Sequence, residues 1–355
     1  MKLEKLRDLS LPTGVLGLAA VTDGSRLFAA CMDGRIFAVE TASGAVTAFF
    51  GKHTSFASGC VLLPDGQTLI SGGYDGSLVW HDVESRREIR RVQAHHFWSW
   101  QLALSPDGER VASVTGQYLP GGEKYEPAPA AEPTVKIFDT RSGDFLQAWE
   151  HLPPVLSATF SPDGQYLAAA NMMGEVRVWD VTVGRCVAQF TTPDFTSWGI
   201  IKSPHYCGGI YGLAFAPDGQ SLLCCGMGPM TDPMAGNGKM TWQRWAWRES
   251  PPAMLGQIHD GEHGAGLMET LTHLPDGSAF LMAGKQAQGN WTAALFSTAE
   301  GKLLTSLDTK SRVTRSLFSA DGKTLFLAAA VGQSKPDKDG KWPDYGRVHV
   351  IAVTA

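Results

Sequence analysis

Two short stretches of the sequence contain side chains that could bind a metal ion. The stretch HDGEH at 259–263 brings two imidazoles and two carboxylates close together. Zinc proteases hold paired imidazoles on one helical face, but the loop context of this stretch offers no such face, so a structural role is favoured. Met227, Met230, Met234 and Met240 could offer thioethers to Cu(I), but apart from two nearby cysteines no His or Cys recurs in register with them. We interpret the methionines as flexible apolar packing and expect neither a metal nor another cofactor.

The local signatures of common catalytic sites are missing from the sequence. It contains no GxSxG, no P-loop and no HExxH, which mark serine hydrolases, nucleotide-binding folds and zinc proteases. No catalytic residue is therefore predicted, and we expect a protein that is not an enzyme.

Charge and cysteine content restrict the classes of partner. The net charge of −5 provides no overall field to attract nucleic acid. Arg86, Arg87, Arg90 and Arg91 form the strongest basic cluster, on a predicted turn and the outer strand that follows it, where such charges prevent edge-to-edge pairing. An acidic partner or nucleic acid is the less favoured interpretation of that cluster. The six cysteines form neither a CxxC pair nor a disulfide framework, which fits a reducing compartment.

The N-terminal segment MKLEKLRDLSLP mixes charged and apolar residues and has no hydrophobic run behind it. That pattern is not typical of a secretory signal. Nowhere does an apolar run reach the roughly 18 residues that a membrane-spanning helix requires. We expect a cytoplasmic protein without membrane contact. The alternative is an exported protein whose signal is absent from this sequence.

One short tag recurs along the chain: an apolar stretch, a turn ending in Asp-Gly and a second apolar stretch, as in LPDGQTLISGG and SPDGQYLAAA. Proline before Asp-Gly presets the turn and glycine supplies a positive φ, so each tag predicts a hairpin. The turn aspartates follow one another at intervals of 42 to 58 residues. They are Asp23, Asp65, Asp107, Asp163, Asp218, Asp276 and Asp321.

Each tag precedes an alternating strand that ends in an aromatic residue and an acid, such as TVKIFD or GEVRVWD, then a turn and another alternating strand. Each unit therefore contains four strands, a to d, in an antiparallel meander whose exposed sheet faces need neighbouring sheets to cover them. The prediction is one all-β domain over 1–355, a seven-bladed β-propeller of four-stranded blades. The last unit lacks strand d, and the N-terminal strand LEKLRDLSLP is expected to supply it and close the ring. The expected blades span approximately 11–52, 53–94, 95–150, 151–192, 193–258, 259–310, and 311–355 plus 1–10.

The stretch HTSFASGCVLLPDGQTLISGGYDGSLVWHD resembles a WD40 repeat from end to end, and SATFSPDGQYLAAANMMGEVRVWD is nearly as similar. The resemblance covers essentially the whole chain and implies a WD40-like propeller that binds protein partners without catalysis. It also implies a buried hydrogen-bonded set of Asp, His, Ser or Thr, and Trp in the blades. No blade contains the complete set. The members present are His53, Ser71 and Asp75, His95 and Ser113, and His151 and Trp179.

Three blades show how this sequence departs from the WD40 pattern. In blade two His81 occupies the Trp place, and in blade three Phe138 does so. In blade four Ala169 and Met173 occupy the two polar places. These departures predict a divergent member of the family. His263 falls within one residue of the position of the blade histidines, which is why a structural role is favoured for it.

Extra length is concentrated in connections that emerge on one face of a meander ring: 116–133, 226–238 and 331–345 between strands b and c, and 191–209 between strands d and a. Loops on a rigid scaffold carry function, so this face is the expected binding face; the alternative is that the insertions are merely tolerated. Exposed Trp and Tyr are good interface anchors, although packing between blades is the alternative for each of them. The candidate anchors are Trp98, Trp100, Tyr118, Tyr125, Trp198, Tyr206 and Trp342.

We therefore expect a monomeric ring that serves as a protein-interaction scaffold and binds a protein partner on the face with the long connections. The alternative is a propeller enzyme, or a small-molecule or metal-binding protein, with its site at the mouth of the central channel on the same face. Convergent carboxylates or imidazoles in a deep pocket would favour the enzyme, and a broad shallow apolar patch would favour the scaffold. Self-assembly of rings is a third possibility.

Overall fold

The strands form separate antiparallel sheets around a central channel, and the predicted seven-bladed β-propeller is confirmed. Where the chain is described, no helix has the length and apolar character that crossing a bilayer would need. The computed structural model describes residues 1–49, 51–117, 131–198, 206–228, 238–258, 265–332, 338–340 and 343–354.

The first four blades follow the N-terminal strand β1, which spans Lys2–Leu11. Blade one consists of β2 Val15–Ala20, β3 Arg26–Cys31, β4 Ile36–Glu40 and β5 Val46–Ala48. Blade two consists of β6 Ala57–Leu62, β7 Thr68–Gly73, β8 Ser77–Asp82 and β9 Arg87–Gln93. Blade three consists of β10 Gln101–Leu104, β11 Arg110–Val114, β12 Val135–Asp139 and β13 Phe145–Trp149. Blade four consists of β14 Val155–Phe160, β15 Tyr166–Asn171, β16 Glu175–Asp180 and β17 Arg185–Thr191.

The remaining three blades complete the ring. Blade five consists of β18 Thr196–Trp198, β19 Tyr206–Phe215, β20 Leu222–Met227, β21 Met240–Ala246 and β22 Ala253–Ile258. Blade six consists of β23 Ala265–His273, β24 Ala279–Gln288, β25 Ala293–Ser297 and β26 Leu303–Leu307. Blade seven consists of β27 Arg312–Phe318, β28 Thr324–Ala330, β29 Gly346–Thr354 and the N-terminal strand β1.

Blade five differs from the four-stranded prediction. The sequence predicts a plain connection over 191–209, but the structure has a 3₁₀ turn at Pro193–Phe195 followed by β18, which pairs with the start of β19. Trp198 and Tyr206 are register partners in this short hairpin. Aromatic and β-branched residues favour extended pairing, and they outweigh the proline and glycines that suggested a loop.

The Asp-Gly turns join strands a and b of every blade with one geometry. Each aspartate carboxylate accepts a hydrogen bond from the backbone N–H two residues later, over 2.8 to 3.0 Å. Each following glycine has a φ between 67° and 75°, a left-handed conformation that other residues adopt at a cost. We call the face with these turns and the c–d turns the turn face. The opposite face, with the b–c and d–a connections, is the loop face.

The hydrophobic core is divided among the junctions between neighbouring blades. Each of the seven junctions is filled by its own cluster of buried side chains. Trp80 of blade two, for example, packs with Val111 and Phe138 of blade three. Its indole N–H also donates to the carbonyl oxygen of Thr140 in blade three over 2.6 Å. Stacking of the sheets therefore covers the faces that a lone blade would expose.

The two ends of the chain close the ring within blade seven, as the sequence predicts. β1 pairs antiparallel with β29, from Lys2 opposite Thr354 to Leu11 opposite Gly346. Leu9 and Leu11 pack into the junction with blade one, and Leu3 packs into the junction with blade six. The N-terminal strand thus contributes to both neighbouring junctions and covers the edge of β29.

Candidate functional site

The innermost strand of six blades contains a β-bulge, where its register with strand b shifts. A bulged residue leaves the hydrogen-bonded ladder, and its side chain is aimed in a new direction. In blade three the strand begins at Gln101, directly after Trp100. Trp100 and the six bulged residues together make what we call the bulge ring: Leu16, Ser58, Trp100, Leu156, Tyr211, Glu269 and Thr314.

All members of the bulge ring line one cavity of about 90 Å³ at the end of the channel, which we call the channel mouth. Tyr74, Arg312 and Arg315 complete its lining. The innermost strand of each blade begins at a d–a connection. In blade two the b–c turn lies beside such a connection, since the backbone N–H of Tyr74 donates to the carbonyl of Phe56 over 2.8 Å. The channel mouth therefore opens on the loop face.

A bidentate ion pair joins blades six and seven at the channel mouth. Arg312 Nε donates to Glu269 Oε1 over 2.6 Å, and Nη2 donates to Oε2 over 2.8 Å. Glu269 is buried, at 6% relative exposure. Its hydrogen bonds raise the pKa of Arg312, which keeps the guanidinium charged. This fork geometry fixes both side chains and leaves Glu269 little capacity for another cation.

Arg315 lies deeper, where the channel mouth meets the channel below it. It lines both the channel mouth and a wider cavity of about 320 Å³ formed by the innermost strands. Its Nη1 donates to the carbonyl of Thr314 over 2.8 Å. Burial lowers the pKa of Arg315, and the nearby charge of Glu269 opposes that shift. Among the described residues that line the two cavities, two guanidinium groups therefore face one carboxylate.

A stack of aromatic rings adjoins the channel mouth on the loop face between blades two and three. Tyr74 and Trp98 are nearly parallel, with ring centroids 4.3 Å apart. Phe56 extends the stack beyond Tyr74 at 5.6 Å, and Phe97 lies against Trp98 at 4.8 Å. Trp100 meets the faces of Tyr74 and Trp98 edge-on. We call these five rings the aromatic stack; Phe56 and Trp98 expose 40% and 36% of their surface.

The predicted anchors have different outcomes. The structure brings Trp98 and Trp100 together within the aromatic stack. It makes Trp198 and Tyr206 register partners in blade five, where only their backbone is described. Three further anchors lie outside the described residues: Tyr118, Tyr125 and Trp342. So do the HDGEH stretch and two of the loop methionines, Met230 and Met234.

Several residues of the site were not singled out from the sequence. Phe56, Tyr74 and Phe97 belong to the aromatic stack, and the available signal was the aromatic character of the short turns YDG and HHFWSW. The charged residues of the channel mouth had a clearer signal. Glu269, Arg312 and Arg315 belong to innermost strands whose other residues are mostly apolar or hydroxylated, and all three line the channel mouth.

Blade two contains a continuous polar network at the predicted positions. His53 Nδ1 lies 2.9 Å from Asp75 Oδ1, and its Nε2 lies 2.9 Å from Ser71 Oγ. His81 Nε2 lies 2.9 Å from the same hydroxyl and so takes the place of the Trp. Burial alone would raise the pKa of Asp75, but the hydrogen bond and charge of His53 hold it well below its usual range. Burial lowers the pKa of His81 to about 4.

Blade three contains a shorter version of the same network. His95 Nε2 lies 2.8 Å from Ser113 Oγ. Glu132 stands near the other ring nitrogen at 3.8 Å, which is an ion-pair distance and too long for a hydrogen bond. Lys136 Nζ donates to Glu132 over 2.5 Å. The carboxylate of blade three therefore bonds to a lysine and stands near the histidine without a hydrogen bond to it.

Blade four keeps the histidine and tryptophan without their polar partners. The His151 ring lies edge-on to Trp179 at 5.9 Å, and neither of its nitrogens has a hydrogen-bond partner among the described residues. Ala169 and Met173 are buried at the two polar places. Burial lowers the pKa of His151 to about 3, so the ring is neutral near pH 7.

The basic cluster of blade two is held by intramolecular contacts. Arg91 Nη2 donates to Glu88 Oε2 over 2.6 Å and Arg91 Nη1 lies 3.7 Å from Asp75. Arg90 lies over the Trp80 ring at 5.8 Å. Both arginines belong to the outer strand β9, as expected for charges that protect an edge.

In the described parts of the chain, no group of three His, Cys, Asp or Glu side chains is placed to hold a metal ion.

Comparisons with known proteins identify the repeats. Residues 44–82 and 143–180 match the sequence model of the WD40 family, described as WD domain, G-beta repeat. The WD repeat-containing protein SL1-17 of Schistosoma mansoni is 25% identical over 49% of this chain and 53% of its own length. The small ribosomal subunit protein RACK1 of Schizosaccharomyces pombe is 29% identical over 38% of this chain and 41% of its own length.

A further relative is the serine-threonine kinase receptor-associated protein of Gallus gallus, 26% identical over 35% of this chain and 31% of its own length. The matches thus span about half of these relatives or less. Repeats that match in two blades, WD-repeat relatives and seven stacked blades agree with one another. The chain is a seven-bladed β-propeller with two segments that match the WD40 repeat.

Proposed function

We propose that this chain is a non-catalytic protein-interaction scaffold that binds a partner protein on the loop face. The observation that carries the proposal is the aromatic stack beside the channel mouth. Phe56 and Trp98 are exposed, yet their rings are held by Tyr74, Phe97 and Trp100 rather than free to rotate. Rigid, partly exposed aromatic residues bury much apolar area on binding at a small entropic cost.

The position of the stack supports an interface rather than ordinary core packing. Its members come from the d–a connections and the b–c turn of two blades, which the rigid sheets hold in place. Trp100 belongs at once to the stack and to the bulge ring, so an occupant of the channel mouth would also touch the stack. The names of two relatives, one receptor-associated and one a ribosomal subunit protein, are consistent with a scaffold.

The test compares capture of partner proteins by matched variants of the whole chain. Phe56→Ala with Trp98→Ala removes both exposed rings of the stack, and Phe145→Ala removes a ring that is 58% exposed on outer strand β13, away from the loop face. A protein captured by the wild-type chain and by Phe145→Ala, but not by the double variant, is then purified and its direct affinity measured. We expect the double variant to lower that affinity by at least about tenfold.

A second pair of variants tests the long connections of the loop face. If these loops form the rim of the interface, deletions within 116–133 and 226–238 should lower the affinity for the same partner. If neither the double variant nor the deletions changes any captured partner, the loop face is not the binding face. An enzyme or a small-molecule or metal site at the channel mouth would then be the better hypothesis.

The proposal includes a monomeric ring that acts in the cytoplasm. Each blade junction of the ring is filled from within the chain, and β1 covers the edge of β29. A solution mass of one chain across a wide concentration range is expected. A concentration-dependent dimer would favour self-assembly of rings instead.

A further inference from the structure

We propose that the partner inserts the carboxylate of an Asp or Glu side chain into the channel mouth, where it pairs with Arg315. This inference rests on the proposed function, because it names the chemistry of the group that the same loop face would receive. It follows from the charge, the size and the surroundings of the channel mouth.

The charge of the channel mouth is unbalanced. Arg312 engages both carboxylate oxygens of Glu269, so this pair is satisfied internally. Among the described residues, no carboxylate lies within 4.0 Å of the Arg315 guanidinium, which donates to the carbonyl of Thr314. A guanidinium stays charged even when burial disfavours it, so Arg315 places a positive charge in the channel wall without an acidic partner.

The surroundings of Arg315 strengthen its attraction for an anion. The lining of the channel mouth includes the rings of Tyr74, Trp100 and Tyr211, and its aliphatic members are Leu16 and Leu156. A charge pair in such a low-dielectric site is worth more than the same pair at an open surface, provided that its hydrogen bonds are satisfied. The fork of donors on a guanidinium suits the two oxygens of a carboxylate.

The size of the channel mouth favours one side chain over a whole ligand. Its volume is about 90 Å³. Pockets for drug-sized ligands are larger, at roughly 300–1,000 Å³. An acidic side chain projecting from a bound segment would fill this space, while neighbouring apolar side chains of the same segment would contact Phe56 and Trp98.

The experiment uses a display library of random eight-residue peptides selected on the intact chain. Peptides that lose binding to the Trp98→Ala variant are synthesised, and each is paired with a version in which Asp or Glu is replaced by Asn or Gln. We expect the selected peptides to share one acidic position. Replacing that acid should lower the affinity about 10- to 100-fold, the range for losing a hydrogen bond to a charged group.

Variants of the chain assign the effect to Arg315. Arg315→Gln should lower the affinity for the acidic peptide by a similar factor, leave that of the amide peptide unchanged, and be partly rescued in Arg315→Lys. Arg248→Gln is the control, because Arg248 is exposed on the c–d turn and stacks on Trp247 at 4.3 Å, away from the loop face. If Arg315→Gln does not fold, Glu269→Gln provides the opposite test, since removing the buried carboxylate should raise the affinity for the acidic peptide.

The outcomes separate this inference from the proposed function. Peptides that need Trp98 but show no preference for an acid, or bind Arg315→Gln equally well, would overturn the inference and leave the interaction surface standing. If the selected peptides bind Trp98→Ala with the same affinity as the wild-type chain, the inference and the proposed interaction surface both lose support. Free glutamate that competes as well as the peptide would show that a small acid, rather than a docked segment, occupies the channel mouth.

Discussion

Asp8 Oδ1 lies 2.6 Å from His349 Nδ1, although the two residues are 341 positions apart in the chain. His349 Nε2 in turn lies 2.8 Å from Ser311 Oγ, at the connection that leads into β27. The order of atoms is that of a Ser–His–Asp triad. Blade two repeats it with Ser71, His53 and Asp75 in a buried network, so we assign both sets to structure. In blade seven the set joins β1 to β29 and thereby helps to close the ring.

Removing the Asp8 carboxylate should therefore weaken closure of the ring. Asp8→Ala leaves the buried His349 without its carboxylate partner, and we expect it to lower the free energy of unfolding by about 1–2 kcal/mol. The value is at the lower end for a charged group because 37% of the Asp8 side chain is exposed. Urea unfolding measures the change. Glu4→Gln is the control on the same strand, since Glu4 pairs with Lys2 at an exposed site. Equal effects of the two substitutions would contradict a role of Asp8 in closure.

Buried histidines should make the protein less stable in mild acid. Burial lowers the pKa of His151 to about 3 and the pKa values of His81 and His273 to about 4. An unfolded histidine has a pKa of about 6.5, so the unfolded chain binds more protons below that pH. The stability that each neutral ring contributes is therefore complete above about pH 6.5 and is lost as the pH falls towards the folded pKa, by up to about 1.4 kcal/mol per pH unit for each histidine.

His151→Phe isolates one of these histidines. It should reduce the slope of unfolding free energy against pH, between about pH 6 and pH 4.5, by the equivalent of about one proton. The slope is the readout, because the substitution also changes packing against Trp179. Leu152→Ala, which changes a neighbouring side chain that is 38% exposed and has no ionisable group, should leave the slope as it is. An unchanged slope in His151→Phe would mean that this ring is protonated in the folded state.

Blade four offers a site where a polar network can be restored. Ala169 pairs with Arg177 as Ser71 pairs with Val79, so the two residues occupy equivalent positions. Ala169→Ser should give His151 a hydroxyl partner and raise the free energy of unfolding by about 0.5–1.5 kcal/mol. Ala168→Ser is the matched control. It faces the junction with blade five, where an unpaired hydroxyl should cost about 1–3 kcal/mol. A loss of stability in both variants would contradict the proposed geometry of His151.

The number of blades and the closure of the ring are predictable from the sequence because both depend on local residue types. An Asp-Gly turn needs its carboxylate and its glycine at adjacent positions, so each turn leaves a mark in the sequence. The same holds for the alternation of β1, which has no partner nearby and must pair with a distant strand. The β18 hairpin was not predicted, because its aromatic and β-branched residues stand among the proline and glycines of a loop.

The channel mouth could not be assembled from the sequence, for a different reason. Tyr74 and Trp98 stack because two blades pack side by side, and Glu269 and Arg312 meet across a blade junction. Which residue of an innermost strand points into the channel depends on the bulge, and the bulge is set by pairing with strand b. The sequence shows the charge of Arg315 but not the register that aims it.

The close approach of the innermost strands gives a last prediction. A Cβ added to Gly17 in blade one would lie 2.4 Å from the Cα of Gly59 in blade two and 2.9 Å from the backbone nitrogen of Cys60. Backbone atoms cannot rotate away, so Gly17→Ala must push the two blades apart along the channel. We expect a loss of about 2 kcal/mol or more in the free energy of unfolding, as for an overpacked core.

Gly256→Ala is the matched control, because Gly256 lies on outer strand β22 and an added Cβ there meets nothing within 4 Å. It should leave stability unchanged or raise it by about 0.4–1 kcal/mol, since alanine restricts the unfolded chain. Thermal and urea unfolding of the two variants measure the difference. If Gly17→Ala is as stable as Gly256→Ala, blades one and two are not in backbone contact at the channel, and the bulge ring must be wider than the structure has it.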